Sequence, residues 1–206
     1  MDIGKDGFKK FKKFLDLKGY NQNELYLNFM AKSIMSDYGK YQLSFDPITA
    51  CNENSAKPHA YPLETRFKHN SLFLMDAGVK YERYCSDRTV TYINKKNKLQ
   101  QKIYDIVLKA QENAINKTSI GMKASEVDKL ARDVIEKAGY GKYFVHSTGH
   151  GIGLDIHEYP HISKTSDIII EENMVFTIEP GIYLPNKFGI RIEDTVAIQN
   201  NKAVVL

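Results

Sequence analysis

Residues 75 to 92, MDAGVKYERYCSDRTVTY, read as strand from their aromatic and β-branched side chains, yet they carry Asp76 and Asp87. Aspartate is depleted in strands, where it packs poorly and competes for backbone hydrogen bonds, so two in one hairpin require a cause. A turn near Lys80 to Glu82 predicts that Asp76 and Asp87 stand opposite each other, projecting from one face of an antiparallel pair. The pattern returns later in the chain. NMVFTIEPGIY and IRIEDTVAI read as strands joined by a turn at Pro185, Asn186 and Lys187, which puts Glu179 opposite Glu193.

Four carboxylates gathered in a partly dry sheet repel one another and raise each other's pKa, a large cost unless cations neutralise them. Two divalent ions bring four positive charges, and carboxylates bridging two metals recur in hydrolases whose ions share one activated water. An imidazole completes such a site, and His150, between Gly149 and Gly151, sits where the backbone can approach a neighbour closely. Taken singly, each acid reads as the solvent face of a strand. Taken together with the glycine-flanked histidine and the apolar residues around both pairs, they read as a metal site. Four carboxylates and one imidazole are hard donors that favour manganese and also accept cobalt or zinc. Cys85, between the aspartates, reads as packing.

The 206 residues are 42% hydrophobic and 11% aromatic, enough to build a substantial core without disulfides. A formal charge of +4 is too mild to imply a polyanionic partner, so nucleic acid is not expected. Cys51 and Cys85 make no disulfide framework and suit a reducing compartment. The start MDIGKDGFKK lacks the apolar stretch of a secretory signal, and no run of about 18 apolar residues spans a bilayer. The expectation is a cytoplasmic protein without a membrane partner.

Phe8, Phe11, Phe14 and Leu15 recur at helical spacing among Lys9, Lys10, Lys12 and Lys13, which predicts an amphipathic helix with a solvated lysine face. A second helix follows, ending near Gly39. Strand character from Tyr41 to about Cys51 precedes the loop NENSAKPHAYP, and SLFLMDAG reads as a short buried strand. The charged run NKKNK ends the first sheet. Ile103, Ile106, Val107, Ala110 and Ala114 mark a helix, and Ser125 caps another that Gly139 closes. Helices followed by an acid-bearing hairpin thus occur twice.

The motifs DAGVKYERYCSD, GHGIGLDIHEYP, IEPGIYLP and GIRIEDTV resemble, in order and spacing, the pita-bread metallopeptidases, which include methionine aminopeptidase, aminopeptidase P and prolidase. The resemblance runs from about residue 1 to 206. It implies an α+β pita-bread fold, two pseudo-symmetric halves of helices on a curved antiparallel sheet. It also implies a dinuclear centre on Asp76, Asp87, His150, Glu179 and Glu193, with Asp87 and Glu193 as bridges. RIED after EPGIY is similar to the proline-directed branch, the Xaa-Pro aminopeptidases and Xaa-Pro dipeptidases. The implied reaction is cleavage of the bond before proline at a peptide N-terminus by a hydroxide bridging two ions. Glu179 relays the proton, and His157 steadies the oxyanion. His59, in SAKPHAYP, assists from the opposite wall, and His146 lines the proline side, although a packed loop histidine is its alternative. Arg191 and Tyr183 orient Asp76, or are instead a structural ion pair and a core phenol. His69 and His161 match no catalytic position and read as surface residues.

Proline-directed relatives carry a separate N-terminal creatinase-like domain, so residues 1–206 are expected to be a single catalytic domain without it. A homodimer is compatible with the resemblance. The alternatives are a methionine aminopeptidase-like exopeptidase and a non-catalytic pita-bread module that binds peptides or proteins.

Overall fold

The computed structural model describes residues 1–93 and 97–206, so the first three residues of the run NKKNK, at 94–96, lie outside the described residues. The chain opens with α1 (Asp2–Phe14), widens into a π-helical turn at Leu15–Gly19, and continues in α2 (Glu24–Met35). Phe8, Phe11 and Leu15 are buried, as their spacing predicts. The second helix stops at Met35, and Gly39, at φ +95°, closes the turn after it.

The predicted strand from Tyr41 to Cys51 is two short ones, β1 (Gln42–Leu43) and β2 (Ile48–Cys51), and a 3-10 turn at Asn52–Ala56 follows. Next come β3 (Phe73–Ala77), β4 (Val79–Tyr81), β5 (Tyr84–Cys85) and β6 (Arg88–Tyr92). One antiparallel sheet has the order β2-β3-β6, and a smaller one has β1-β4-β5. Strand β3 sorts its side chains by parity. Phe73, Met75 and Ala77 join the core under α1 and α2, whereas Leu72 and Leu74 join the core of the second half. Asp76 shares the parity of Leu72 and Leu74, so it faces the seam between the halves.

The second half repeats the plan with α3 (Lys98–Lys117) and α4 (Ala124–Lys137). Ser125 lies inside the first turn of α4. The cap is two residues earlier, at Lys123, whose amide donates to Glu126 Oε2 at 2.7 Å. Strands β7 (Gly149–Gly151), β8 (Glu158–Ile162), β9 (Val175–Ile178), β10 (Gly181–Leu184), β11 (Phe188–Arg191), β12 (Asp194–Gln199) and β13 (Lys202–Val205) complete the chain. Five of them form the sheet β13-β12-β9-β7-β8, and β10 pairs with β11. The architecture is mixed helix and antiparallel sheet, with no described helix long and apolar enough to cross a membrane.

The first hairpin differs from expectation. It turns at Glu82 and Arg83, with φ +49° and +75°, and pairs Lys80 with Cys85. Thr89, not Asp87, therefore stands opposite Asp76. A slip of two residues keeps both aspartates on one face, because side chains alternate with period two. The second hairpin has the predicted register. Gly181 faces Arg191 and Ile178 faces Asp194, which brackets Glu179 and Glu193 as an opposed pair.

Candidate metal centre

Both glutamates sit where their strands exchange partners. The Glu179 amide donates to Thr148 O at 2.7 Å, and the Glu193 amide donates to Thr89 O at 3.1 Å, across to the first hairpin. Pro180, with no amide proton, suits the break between β9 and β10. The predicted long strands are thus each two, and the acids occupy the gaps.

Side chains cross the same seam. Thr89 Oγ1 donates to Glu193 Oε2 at 2.7 Å, Thr195 Oγ1 donates to Asp87 O at 2.9 Å, and Thr91 Oγ1 donates to Arg191 O at 2.7 Å. Arg191 reaches Asp76 Oδ2 through Nη2 at 2.7 Å, Tyr183 through Nη1 at 2.7 Å, and the carbonyl of Pro58 at 3.1 Å. Glycine at 149 and 151 answers a close approach. A Cβ at Gly149 would lie 1.9 Å from Thr177 O, and one at Gly151 would lie 2.0 Å from Tyr159 O.

A cavity of about 330 Å³ is lined by Asp76, Asp87, His150, Glu179 and Glu193, and also by His59, His146, His157 and Arg191. One ligand atom from each of Asp87, His150 and Glu193 falls within 4.8 Å of the others. His150 Nε2 lies 3.5 Å from both Asp87 Oδ2 and Glu179 Oε1. Its Nδ1 is 3.1 Å from Gly151 O, an acceptor only, so Nδ1 carries the proton and the Nε2 lone pair faces the acids. Burial lowers the His150 pKa to about 4, so at neutral pH these contacts are not ion pairs.

The acids are equally out of balance. Burial, then the charges of Glu193, Asp76 and Glu179, hold the Asp87 carboxyl well above the usual range. Burial and the charges of Glu179 and Asp76 do the same for Glu193. Burial lifts Glu179 to about 8 against the opposing pull of Arg191. Asp76 Oδ1, Asp87 Oδ1 and Glu193 Oε1 are buried without a hydrogen-bond partner. Unpartnered carboxylate oxygens beside an imidazole lone pair form a set of hard acceptors with no donor between them, which is the chemistry a divalent cation satisfies. Asp87, His150 and Glu193 fit a divalent cation, and Asp76 and Glu179 line the same cavity.

The histidines take distinct positions. His146 Nδ1 donates to Ser147 O at 2.7 Å, so Nε2 accepts from Tyr183 OH at 2.8 Å, and both ring nitrogens are engaged. Burial lowers its pKa to about 4. His157 is exposed and stands edge-on to His150, with ring centroids 4.2 Å apart. His59 is exposed on the cavity wall. His69 stacks on Tyr20 away from the cavity. His161 is exposed, as a surface residue should be, but it pairs with His150 across β7 and β8 and lines the cavity. Cys85 is buried outside it, its thiol 3.5 Å from Leu154 O.

Sequence reasoning missed Thr89, whose role comes from a partner far along the chain. It also missed the pair Asp128 and Arg132. Asp128 Oδ1 accepts from Thr148 Oγ1 at 2.8 Å, and Arg132 Nη2 donates to His146 O at 2.9 Å. A signal existed, since both lie beside Val127 and Ala131 on the apolar stripe of α4.

A model of metallopeptidase family M24 matches residues 1–200. An Xaa-Pro dipeptidase of Pyrococcus furiosus is 45% identical over 171 residues, covering 82% of this chain and 49% of that protein. An uncharacterized peptidase of Staphylococcus epidermidis is 40% identical over 207 residues, and the match takes in 56% of its length. The crystal structure of a prolidase from Thermococcus sibiricus superposes with a TM-score of 0.92 at 40% identity, covering 99% of this chain and 56% of that one. An X-Pro aminopeptidase from Thermotoga maritima gives 0.90 at 34% identity, with coverages of 99% and 57%. The chain spans about half the length of the curated relatives it matches. These matches join motif order, hairpin register and the converging donors in one assignment: the chain has the pita-bread fold and belongs to metallopeptidase family M24.

Proposed function

We propose that this chain is the catalytic part of a metal-dependent exopeptidase that cleaves the bond before proline at the N-terminus of peptides. The observation that carries the reading is the cavity in which Asp76, Asp87, His150, Glu179 and Glu193 converge, with three buried carboxylate oxygens lacking any donor. The names of the relatives, Xaa-Pro dipeptidase, prolidase and X-Pro aminopeptidase, support the choice of bond.

Those five residues would hold two divalent cations, manganese by the hardness of the donors, and the cations supply an activated water and neutralise the developing charge. The protein's own groups do the rest. Glu179, on the cavity beside His150, takes a proton from the attacking water and passes it to the departing proline nitrogen. His157, exposed beside His150, donates to the oxyanion. His59 contacts the substrate from the opposite wall. His146, with both nitrogens engaged, lines the proline side with its ring edge rather than with a hydrogen bond. Arg191, held by Tyr183 and Thr89, fixes the orientation of Asp76.

A panel of Xaa-Pro dipeptides and longer Xaa-Pro peptides, with Met-Ala as control, assayed with manganese, cobalt and zinc, tests the reading. Release of the N-terminal residue from Xaa-Pro substrates is expected. Absence of bound metal together with inertness towards every Xaa-Pro peptide would overturn it. The ratio of dipeptide to longer-peptide turnover separates dipeptidase from aminopeptidase.

A further inference from the structure

We propose that Glu24, on the first turn of α2 and outside the cavity, is a positioning residue that sets His59 against the substrate. The inference rests on the reading of His59 as a substrate contact. His59 lies in the stretch between the 3-10 turn at Asn52–Ala56 and Leu63, which has no strand to hold it. Glu24 ties both ends of that stretch. Its Oε1 accepts the Cys51 amide at 2.6 Å, and its Oε2 accepts the Leu63 amide and Asn54 Nδ2, each at 2.7 Å. Asn54 Nδ2 extends the hold to Tyr61 O at 2.8 Å, and the Glu24 amide donates to Thr65 O at 2.9 Å.

The chemistry explains the choice of residue. Glu24 is fully buried, and three N–H groups converge on it, so its side chain must accept everywhere and donate nowhere. A carboxylate does that, whereas a glutamine would turn an NH2 group onto at least one donor. The first turn of a helix also favours the negative charge. On its other side the loop is fixed to the second half, through Ser55 Oγ, which accepts the Gly189 amide at 2.9 Å, and through Pro58 O, which accepts from Arg191. His59 is therefore suspended between α2 and Arg191, the residue that grips Asp76. Removing Glu24 frees the outer attachment and leaves every metal donor on its own element.

The test is a double-mutant cycle on the full chain with manganese and an Xaa-Pro dipeptide. Glu24→Gln should raise KM about tenfold with a smaller change in kcat, and the bound manganese should match wild type. The same substitution in a His59→Ala background should change KM little, because residues acting through one contact are not additive. If Glu24→Gln does not fold, Asn54→Ala, which removes the bonds to Glu24 and to Tyr61 and leaves the two backbone amides on Glu24, replaces it, with a KM rise of about threefold and the same non-additivity. Full additivity with His59→Ala, a loss of manganese, or an unchanged KM would overturn the inference while the wild type remains active. A wild type inert on all Xaa-Pro peptides would remove the substrate reading and this inference together.

Discussion

Each half of the molecule uses a buried acid on its second helix to hold the loop that carries a site histidine, but the two acids differ in electrical state. On α4, Asp128 is paired with Arg132, with contacts of 2.8 Å to Nε and to Nη2, and the guanidinium lies 4.1 Å from the Phe144 ring. That pair fixes Thr148 and the backbone of His146, whose ring nitrogens are both engaged. On α2, Glu24 meets no basic side chain among the described residues and relies on N–H donors, and the histidine it steadies is exposed. One wall of the cavity is thus locked by a neutralised pair and the other by a lone charge. The His146 wall is the rigid one.

The largest effect should ignore this difference. Asp87→Ala in the first half and Glu193→Ala in the second should each cut turnover by about 10³-fold or more and lower metal content, as the proposed shared centre requires. Wild-type turnover with full metal in either variant would show that a single half suffices. Next, Arg132→Met leaves Asp128 buried and unpaired and should cost about 3 to 5 kcal/mol in urea unfolding. Glu24→Gln, which loses part of a hydrogen-bond set, should cost about 1 to 3 kcal/mol. Equal losses would erase the distinction between the walls. His157→Ala should lower turnover by about 10²-fold with metal content intact, as expected for an oxyanion donor, whereas equal loss of both would make it a ligand.

The smallest effect is a slope with pH. Glu179 is raised to about 8, and Asp87 and Glu193 shift in the same direction, so the folded metal-free protein holds more protons than the unfolded chain up to about pH 8. Its stability should therefore fall as pH rises from about 6.5 to 8, at about 1.4 kcal/mol per pH unit for each proton involved. Between about 4 and 6.5 the lowered pKa values of His146 and His150, each about 4, act oppositely, because there the unfolded chain binds extra protons at these two residues, so they offset part of the carboxyl contribution and flatten the slope. Saturating manganese should reverse the fall above 6.5, since cations bind the deprotonated acids. Thermal unfolding at several pH values, with and without manganese, measures both limbs.

The second acid pair was legible because Pro185, Asn186 and Lys187 announce a turn, with Asn186 at φ +58°, and the turn fixes the register. The first was placed two residues off because its turn falls on Glu82 and Arg83, neither a residue that advertises positive φ. Alternation with period two preserved the face, so the error did not move either aspartate away from the seam. The breaks at Glu179 and Glu193 were not legible, since the amide of Glu193 finds its acceptor at Thr89 of the other hairpin. Glu24 was hidden for a similar reason. A lone acid at a helix start reads as a favourable charge on a solvated end, and only the return of the chain at Leu63 buries it.

The seam also has a consequence for synthesis. A ribosome delivers Asp76 and Asp87 well before Glu179 and Glu193 exist, and the threonine and arginine bonds that aim these acids link residues about a hundred positions apart. A nascent chain therefore carries two of the acids without the partners that aim them. The donor set is complete only in a late event, when the second hairpin closes on the first.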